Sequence, residues 1–213
     1  AGKYKLIAYF GDLETVILPS EINGEEYELY YFNGAKNVII PSSFTEISDD
    51  AFSHSFDLEN IEIPENVTKI GNNAFYHCTN LESVTIPQNV TLIKFDAFNY
   101  CIKLNNLKIL AKSLEIYDDA FANCKNLSEI CINSNSIRIG KRVFDDTAYC
   151  NDKANWRNGL LLIDNNLIKV DKNIEYLSIP KEVKSISNDA FNECNMLKYV
   201  SILNSNTTFG VGI

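Results

Sequence analysis

The sequence predicts a right-handed solenoid, mostly β, with a parallel sheet on one face, short back-side strands and short helical turns. Three observations predict it. A block reading A-F-x-x-C-x-x-L-x-x-[IVL]-x-[IL]-P recurs with a period of 23 residues, its Phe falling at Phe52, Phe75, Phe98, Phe121 and Phe144 and again at Phe191. Cys78, Cys101, Cys124 and Cys194 each stand three residues after their Phe. Pro19, Pro41, Pro64, Pro87 and Pro180 close the strand-like part of successive units. A fixed period between about 20 and 29 residues marks a stack in which each coil contributes one strand and buries its apolar face only against its neighbours.

The unit that starts at Leu81 justifies the elements one by one. In L-E-S-V-T-I, Leu81, Val84 and Ile86 point inward and the strand ends on period-2 alternation. Pro87 lacks a donor for ladder pairing and turns the chain. Val90 and Ile93 form a second, short inward-facing segment. Asp96 then occupies the N-cap position of a short helical turn, and Phe98, Cys101 and Leu104 bring the chain back to the core. By the same reading, front strands are expected at 15–18, 37–40, 60–63, 83–86, 106–109, 129–132, 176–179 and 199–202. Back-side segments are expected at 45–47, 67–70, 90–93, 114–116, 137–139 and 183–186.

Two stretches depart from the period. Residues 1–34 lack the A-F-x-x-C block and read as an N-terminal cap or a degenerate repeat; residues 35–213 carry the regular units. Pro87 stands nine positions after Cys78, but at the equivalent place Pro180 stands 33 after Thr147, an excess of 24. Within it Leu160 to Val170 reads as two strands joined at Asp164-Asn165-Asn166, so a projecting or inserted hairpin is expected near 148–173, with Trp156 close by. Ile213 falls partway into a further coil, and the reading expects a truncated C-terminus.

Composition narrows the function classes. A net charge of −9 with a pI near 4.8 and no Lys/Arg cluster argues against nucleic acid as a partner. No run of 18 apolar residues is present to span a membrane as a helix. Of six cysteines, Cys78, Cys101 and Cys124 share one column of the stack, where side chains lie about 4.8 Å apart but point the same way, so they are expected to be free, buried thiols. Cys131 and Cys150 fall outside that column and are the candidates for reactivity or pairing.

Catalytic signatures are missing: there is no G-x-S-x-G elbow, no phosphate-binding Gly loop and no His-x-x-x-His pair, so no enzyme activity is expected. His54 and His77, 23 apart, should stack with Tyr100 next in the column; two imidazoles could share a metal, but no third ligand is evident. The column Asp50, Asn73, Asp96, Asp119 and Asp189 could be read as a calcium ladder, but capping accounts for it, and no cofactor or metal is assigned. The exposed positions of the sheet form the candidate binding face. One column is Thr15, Asn37, Asn60, Ser83, Asn106, Glu129, Tyr176 and Tyr199; the other is Ile17, Ile39, Glu62, Thr85, Lys108, Cys131, Ser178 and Ser201. Asn60, Glu62, Ser83, Thr85, Asn106, Lys108, Glu129, Tyr176 and Tyr199 are the residues expected to touch a ligand, with the two tyrosines as anchors because they offer large contact area with a polar tip.

The stretches IPENVTKIGNNAFYHCTNLESVTIP from Ile63 to Pro87 and IPKEVKSISNDAFNECNMLKYVSI from Ile179 to Ile202 resemble the BspA-like leucine-rich repeat. RNGLLLIDNNLIKV from Arg157 to Val170 resembles the longer, interrupted unit of the same family. The resemblance covers about residues 35–203 and implies a leucine-rich-repeat superhelix. It further implies a secreted or cell-surface protein of bacterial or protozoan type. Such a protein would use a noncatalytic adhesion or binding module to hold a protein or glycan of a host or neighbouring cell. The alternatives are a structural spacer array or the targeting module of a larger secreted enzyme. The oligomeric state is left open.

Overall fold

The computed structural model describes residues 4–6, 10–25 and 27–210. Alternation along the repeat decides which face each side chain takes: in Ser83–Ile86, Val84 and Ile86 are buried while Ser83 and Thr85 face solvent. Every such strand pairs in parallel with its counterpart one period away, as in Asn106↔Glu129 and Ile109↔Ile132. Along the front run Phe10–Ile17, Asn33–Ile39 and Asn60–Glu62, then Ser83–Ile86, Asn106–Ile109 and Glu129–Ile132. A bond from the Glu82 N–H to the Glu59 carbonyl, 3.2 Å, bridges the two groups. The back ladder is Glu46–Ile47, Lys69–Ile70, Leu92–Ile93, Ser113–Ile116 and Ser136–Ile139. The whole is a parallel β-solenoid of about eight turns.

A third ladder runs through the turns, and it corrects the capping expectation. The N–H groups of Asp50, Phe52 and His54 donate to the carbonyls of Asn72, Ala74 and Tyr76 in the next coil at 2.8, 2.7 and 2.7 Å. Between them, the Ser53 N–H closes a local turn onto Asp50. Alternate residues therefore aim their donors along the stack, which requires a reversed backbone at fixed places. Asp50, Asn73, Asp96 and Asp119 have φ of 61°, 51°, 56° and 60°, and His54, His77, Tyr100 and Asn123 repeat the left-handed geometry four residues on. An N-cap would be extended. Asp and Asn stand in this column because they tolerate left-handed backbone better than most side chains. Among the described residues helix is confined to Ala148–Asn151, capped by the Thr147 hydroxyl, and the 3-10 turn Lys153–Asn155.

Inside, the phenylalanines form a stack. Phe52–Phe75, Phe75–Phe98, Phe98–Phe121 and Phe121–Phe144 have ring centroids 5.1, 4.7, 4.9 and 5.8 Å apart and planes within 11° of parallel. Each column thiol donates to a Phe carbonyl of the preceding coil: Cys78 to Phe52, Cys101 to Phe75 and Cys124 to Phe98, at 3.1–3.2 Å. The first unit fills the same places with other residues. Phe32 meets Phe52 edge-on at 5.8 Å, and the hydroxyl of Ser55, in the thiol's position, donates to the Phe32 carbonyl.

The excess stretch lies within the stack rather than projecting from it. Leu160–Ile163 and Asn166–Val170 form an antiparallel hairpin, to which Trp156–Arg157 adds a third strand. Its second strand restarts the back ladder by pairing in parallel with Ser185–Ile186, and these with Thr208–Phe209. Leu161, Ile163 and Ile168 pack into the core of the first coils; Leu160, Leu167 and Val170 pack into a second core with Leu177, Ile179 and Ile186. That two-sided burial explains why L-L-L-I shows no alternation. On the front, the Asp164 carboxylate accepts the Ile132 N–H at 2.7 Å, and Tyr176–Ile179 pairs with Tyr199–Ile202 in a sheet of its own.

Candidate binding face

The nine sheet residues fall into two groups. Asn60, Glu62, Ser83, Thr85, Asn106, Lys108 and Glu129 share the front of consecutive coils; all are exposed except the half-buried Asn106. Tyr176 and Tyr199 are in register with each other, 69% and 61% exposed, but sit beyond the hairpin. The sequence columns therefore do not continue from Glu129 to Tyr176 as neighbours, because the hairpin stands at the end of the front ladder.

Within the first group, part of the hydrogen-bonding capacity is used along the stack. Asn60 donates to Asn37 Oδ1 at 2.9 Å, and Asn106 donates to the Glu129 carboxylate at 2.6 Å. Glu62, Ser83, Thr85 and Lys108 make no side-chain hydrogen bond or ion pair among the described residues, so their polar groups are free for a partner. Ile17 and Ile39, in register at the other end, are 71% and 45% exposed. Lys198 lies 5.9 Å from the Tyr176 ring centroid while pairing with Glu175 at 2.8 Å, so the tyrosine pair carries a cation at its border.

On the turn edge, His54 and His77 stack at 5.3 Å with planes 2° apart, and His77 stacks on Tyr100 at 4.5 Å. Tyr76 packs edge-on against both histidines. Burial, with the charge of His54 added, holds His77 below the usual imidazole range. Among the described residues no three of His, Cys, Asp and Glu are placed to hold a metal ion. The thiols separate the two cysteines expected to be reactive. Cys131 is exposed on the second front column, but Cys150 is buried, and burial pushes its thiol up to about 11, which suppresses the thiolate.

Sequence reasoning missed a cleft of about 490 Å³ where the hairpin meets the last coils. Its walls come from Asp145, Trp156, Lys169 and Asp189, which share no motif; only the nearness of Trp156 to the hairpin was legible.

A family model of the BspA type leucine rich repeat region, six copies long, matches residues 7–128 and 92–213. By structure the chain is similar to the pneumococcal vaccine antigen PcpA, at 21% identity and a TM-score of 0.55 over 93% of this chain; it spans 57% of that chain's length. It is also similar to a leucine rich repeat protein of T. pallidum, at 22% identity and a TM-score of 0.47 over 98% of this chain and 78% of that one. No curated protein matches it by sequence.

Proposed function

We propose that this chain, which belongs to the BspA-type leucine-rich repeat family, is a noncatalytic binding module that holds a protein or glycan of a host or neighbouring cell on its front sheet. Repeats of this family are interaction or adhesion scaffolds and are typically non-enzymatic. The observation that carries the reading is the pair Tyr176 and Tyr199: two aromatic rings, in register and about two-thirds exposed, in a chain that buries the phenylalanine column from Phe52 to Phe144 completely. Exposed, paired tyrosines are characteristic of contact surfaces rather than of solvated sheets. The free side chains Glu62, Ser83, Thr85 and Lys108 supply polar contacts on the earlier coils. No helix among the described residues is long and apolar enough to cross a membrane. The fold relative described as a vaccine antigen supports a secreted or cell-surface setting.

The test is a screen of the chain against immobilised matrix proteins, mucin glycans and cell-wall fragments. A saturable hit is expected, and Tyr176→Ala with Tyr199→Ala should weaken it roughly tenfold or more, as loss of interface anchors does. A hit indifferent to those changes and to Glu62→Ala with Lys108→Ala would move the site off the sheet. A clean negative from folded protein would favour a spacer role.

A further inference from the structure

The cleft beside the hairpin has the chemistry of a separate site. Its volume of about 490 Å³ falls within the range of small-molecule sites, roughly 300–1,000 Å³. One wall is Trp156, whose indole N–H donates to the Cys150 carbonyl at 3.1 Å and so fixes the ring. The ammonium of Lys153 stands 5.1 Å from that ring's centroid. Along the floor, Asp145 pairs with Lys169 at 2.7 Å, beside Asp189. Asp189 accepts the Arg142 backbone N–H at 2.7 Å and the Ser187 hydroxyl at 3.3 Å. Buried Val170 and Ala190 give the lining an apolar stretch.

The charges do not balance inside it. Lys169 answers Asp145, and Lys172 answers Glu193 at 3.8 Å on the rim. Asp171 and Asp189 have no ion-pair partner among the described residues, while the third cation, Lys153, rests on the indole instead of on a carboxylate. Burial, and then the charge of Asp145, push the Asp189 carboxyl above its ordinary range, against the lowering effect of the Arg142 N–H and of Lys169, whose ammonium is already paired with Asp145. A metal ion does not fit this deficit, since no three ligating side chains converge among the described residues. A cation that brings its own N–H donors and an alkyl stem does fit.

We propose that this cleft binds a primary ammonium carried on an alkyl chain, which replaces Lys153 over the Trp156 ring and is held by Asp189 and Asp171. The exchange is noncovalent. The Lys153 side chain, on an exposed 3-10 turn, moves into water and the incoming ammonium takes its place on the ring face, while the stem lies along Val170 and Ala190. A free diamine and a lysine side chain of a partner both carry that chemistry.

Trp156 is the chain's one tryptophan, so its emission reports the site directly. The full chain is titrated at low salt with cadaverine, with Nα-acetyl-lysine amide and with sorbitol. A saturable change is expected with the two ammonium probes and none with the polyol. Tighter binding of cadaverine points to a free diamine, and tighter binding of the lysine amide points to a side chain of a partner. Asp189→Asn should weaken binding about tenfold, in line with loss of a charge-assisted hydrogen bond. Lys153→Ala should tighten it roughly two- to fivefold, because the resident competitor is gone. Should Asp189→Asn fail to fold, Asp171→Asn reads the same deficit. No saturable change with either amine, a response to sorbitol alone, or unchanged affinity in folded Asp189→Asn and Lys153→Ala would overturn the proposal.

Discussion

The coils from Phe52 to Phe144 and those after Phe144 belong to the same repeat but are packed differently. In the first region every ladder ring is buried and stacked on the next, and Cys78, Cys101 and Cys124 are fully buried with thiol bonds of 3.1–3.2 Å. In the second, Phe191 and Cys194 are only half-buried, and the Cys194 thiol reaches the Val170 carbonyl at 3.7 Å. Phe98 with Cys101 and Phe191 with Cys194 stand in the same A-F-x-x-C motif; what differs is the preceding coil. Behind Phe98 stands Phe75, whereas the coil before Phe191 is the hairpin, which presents leucines and Val170. A repeat motif in a solenoid thus acquires its energy from its neighbour, and the interruption divides the core in two.

The sharpest way to break the comparison is one substitution in each region. Phe98→Ala removes a fully buried ring with stacked partners on both sides and should cost about 3–5 kcal/mol. Phe191→Ala removes a half-buried ring and should cost roughly 1–2 kcal/mol. Urea denaturation of both variants measures the difference. Equal costs would mean that the second core is packed as tightly as the first.

The turn column sharpens the contrast at lower amplitude. Asp50, at φ 61°, makes no side-chain bond among the described residues and is exposed, so its contribution is conformational. Asp50→Val forces a β-branched residue into left-handed backbone and should cost about 1–2 kcal/mol, while Asp50→Gly should be close to neutral. Asp189 stands at the corresponding place after the interruption, without the positive φ, and its carboxylate faces the cleft. A Val cost at Asp50 no larger than the Gly cost would remove backbone reversal as the reason for the column.

Counting by 23 made the front strands at 83–86, 106–109 and 129–132 legible to the residue, and 176–179 and 199–202 once counting restarts at Pro180; the strand expected at 60–63 stops at Glu62, and those expected at 15–18 and 37–40 run as Phe10–Ile17 and Asn33–Ile39. The back-side segments at Lys69–Ile70 and Leu92–Ile93 are shorter than expected, because only the residues next to the inward Ile stay in register with the neighbouring coil. The capping reading failed for a physical reason: Asp and Asn suit both an N-cap and a left-handed turn, so residue type alone does not choose between them. The gap between Glu129 and Tyr176 was visible as arithmetic, but not that the inserted strands would fill the coil's interior and separate the tyrosines from the rest of the face. The cleft was illegible because Asp145, Trp156, Lys169 and Asp189 are drawn together by the hairpin and not by any spacing.

The smallest expected effect comes from the turn edge of the regular region, where His77 is clamped between His54 and Tyr100. Burial first, and the charge of His54 second, lower its pKa in the folded chain below the ordinary 6.5. The unfolded chain therefore takes up the proton first. Stability should fall as pH drops through about 6.5, and the loss should be complete once pH lies below the lowered folded value. His77→Tyr keeps the stack, since Tyr100 already occupies the next position of the column at φ 62°, and it removes the titrating group. The variant should lose less stability than the parent between pH 7.5 and 5.5, as read from urea midpoints at the two pH values. An identical loss in parent and variant would assign the acid sensitivity to other groups and leave the histidine stack as packing alone.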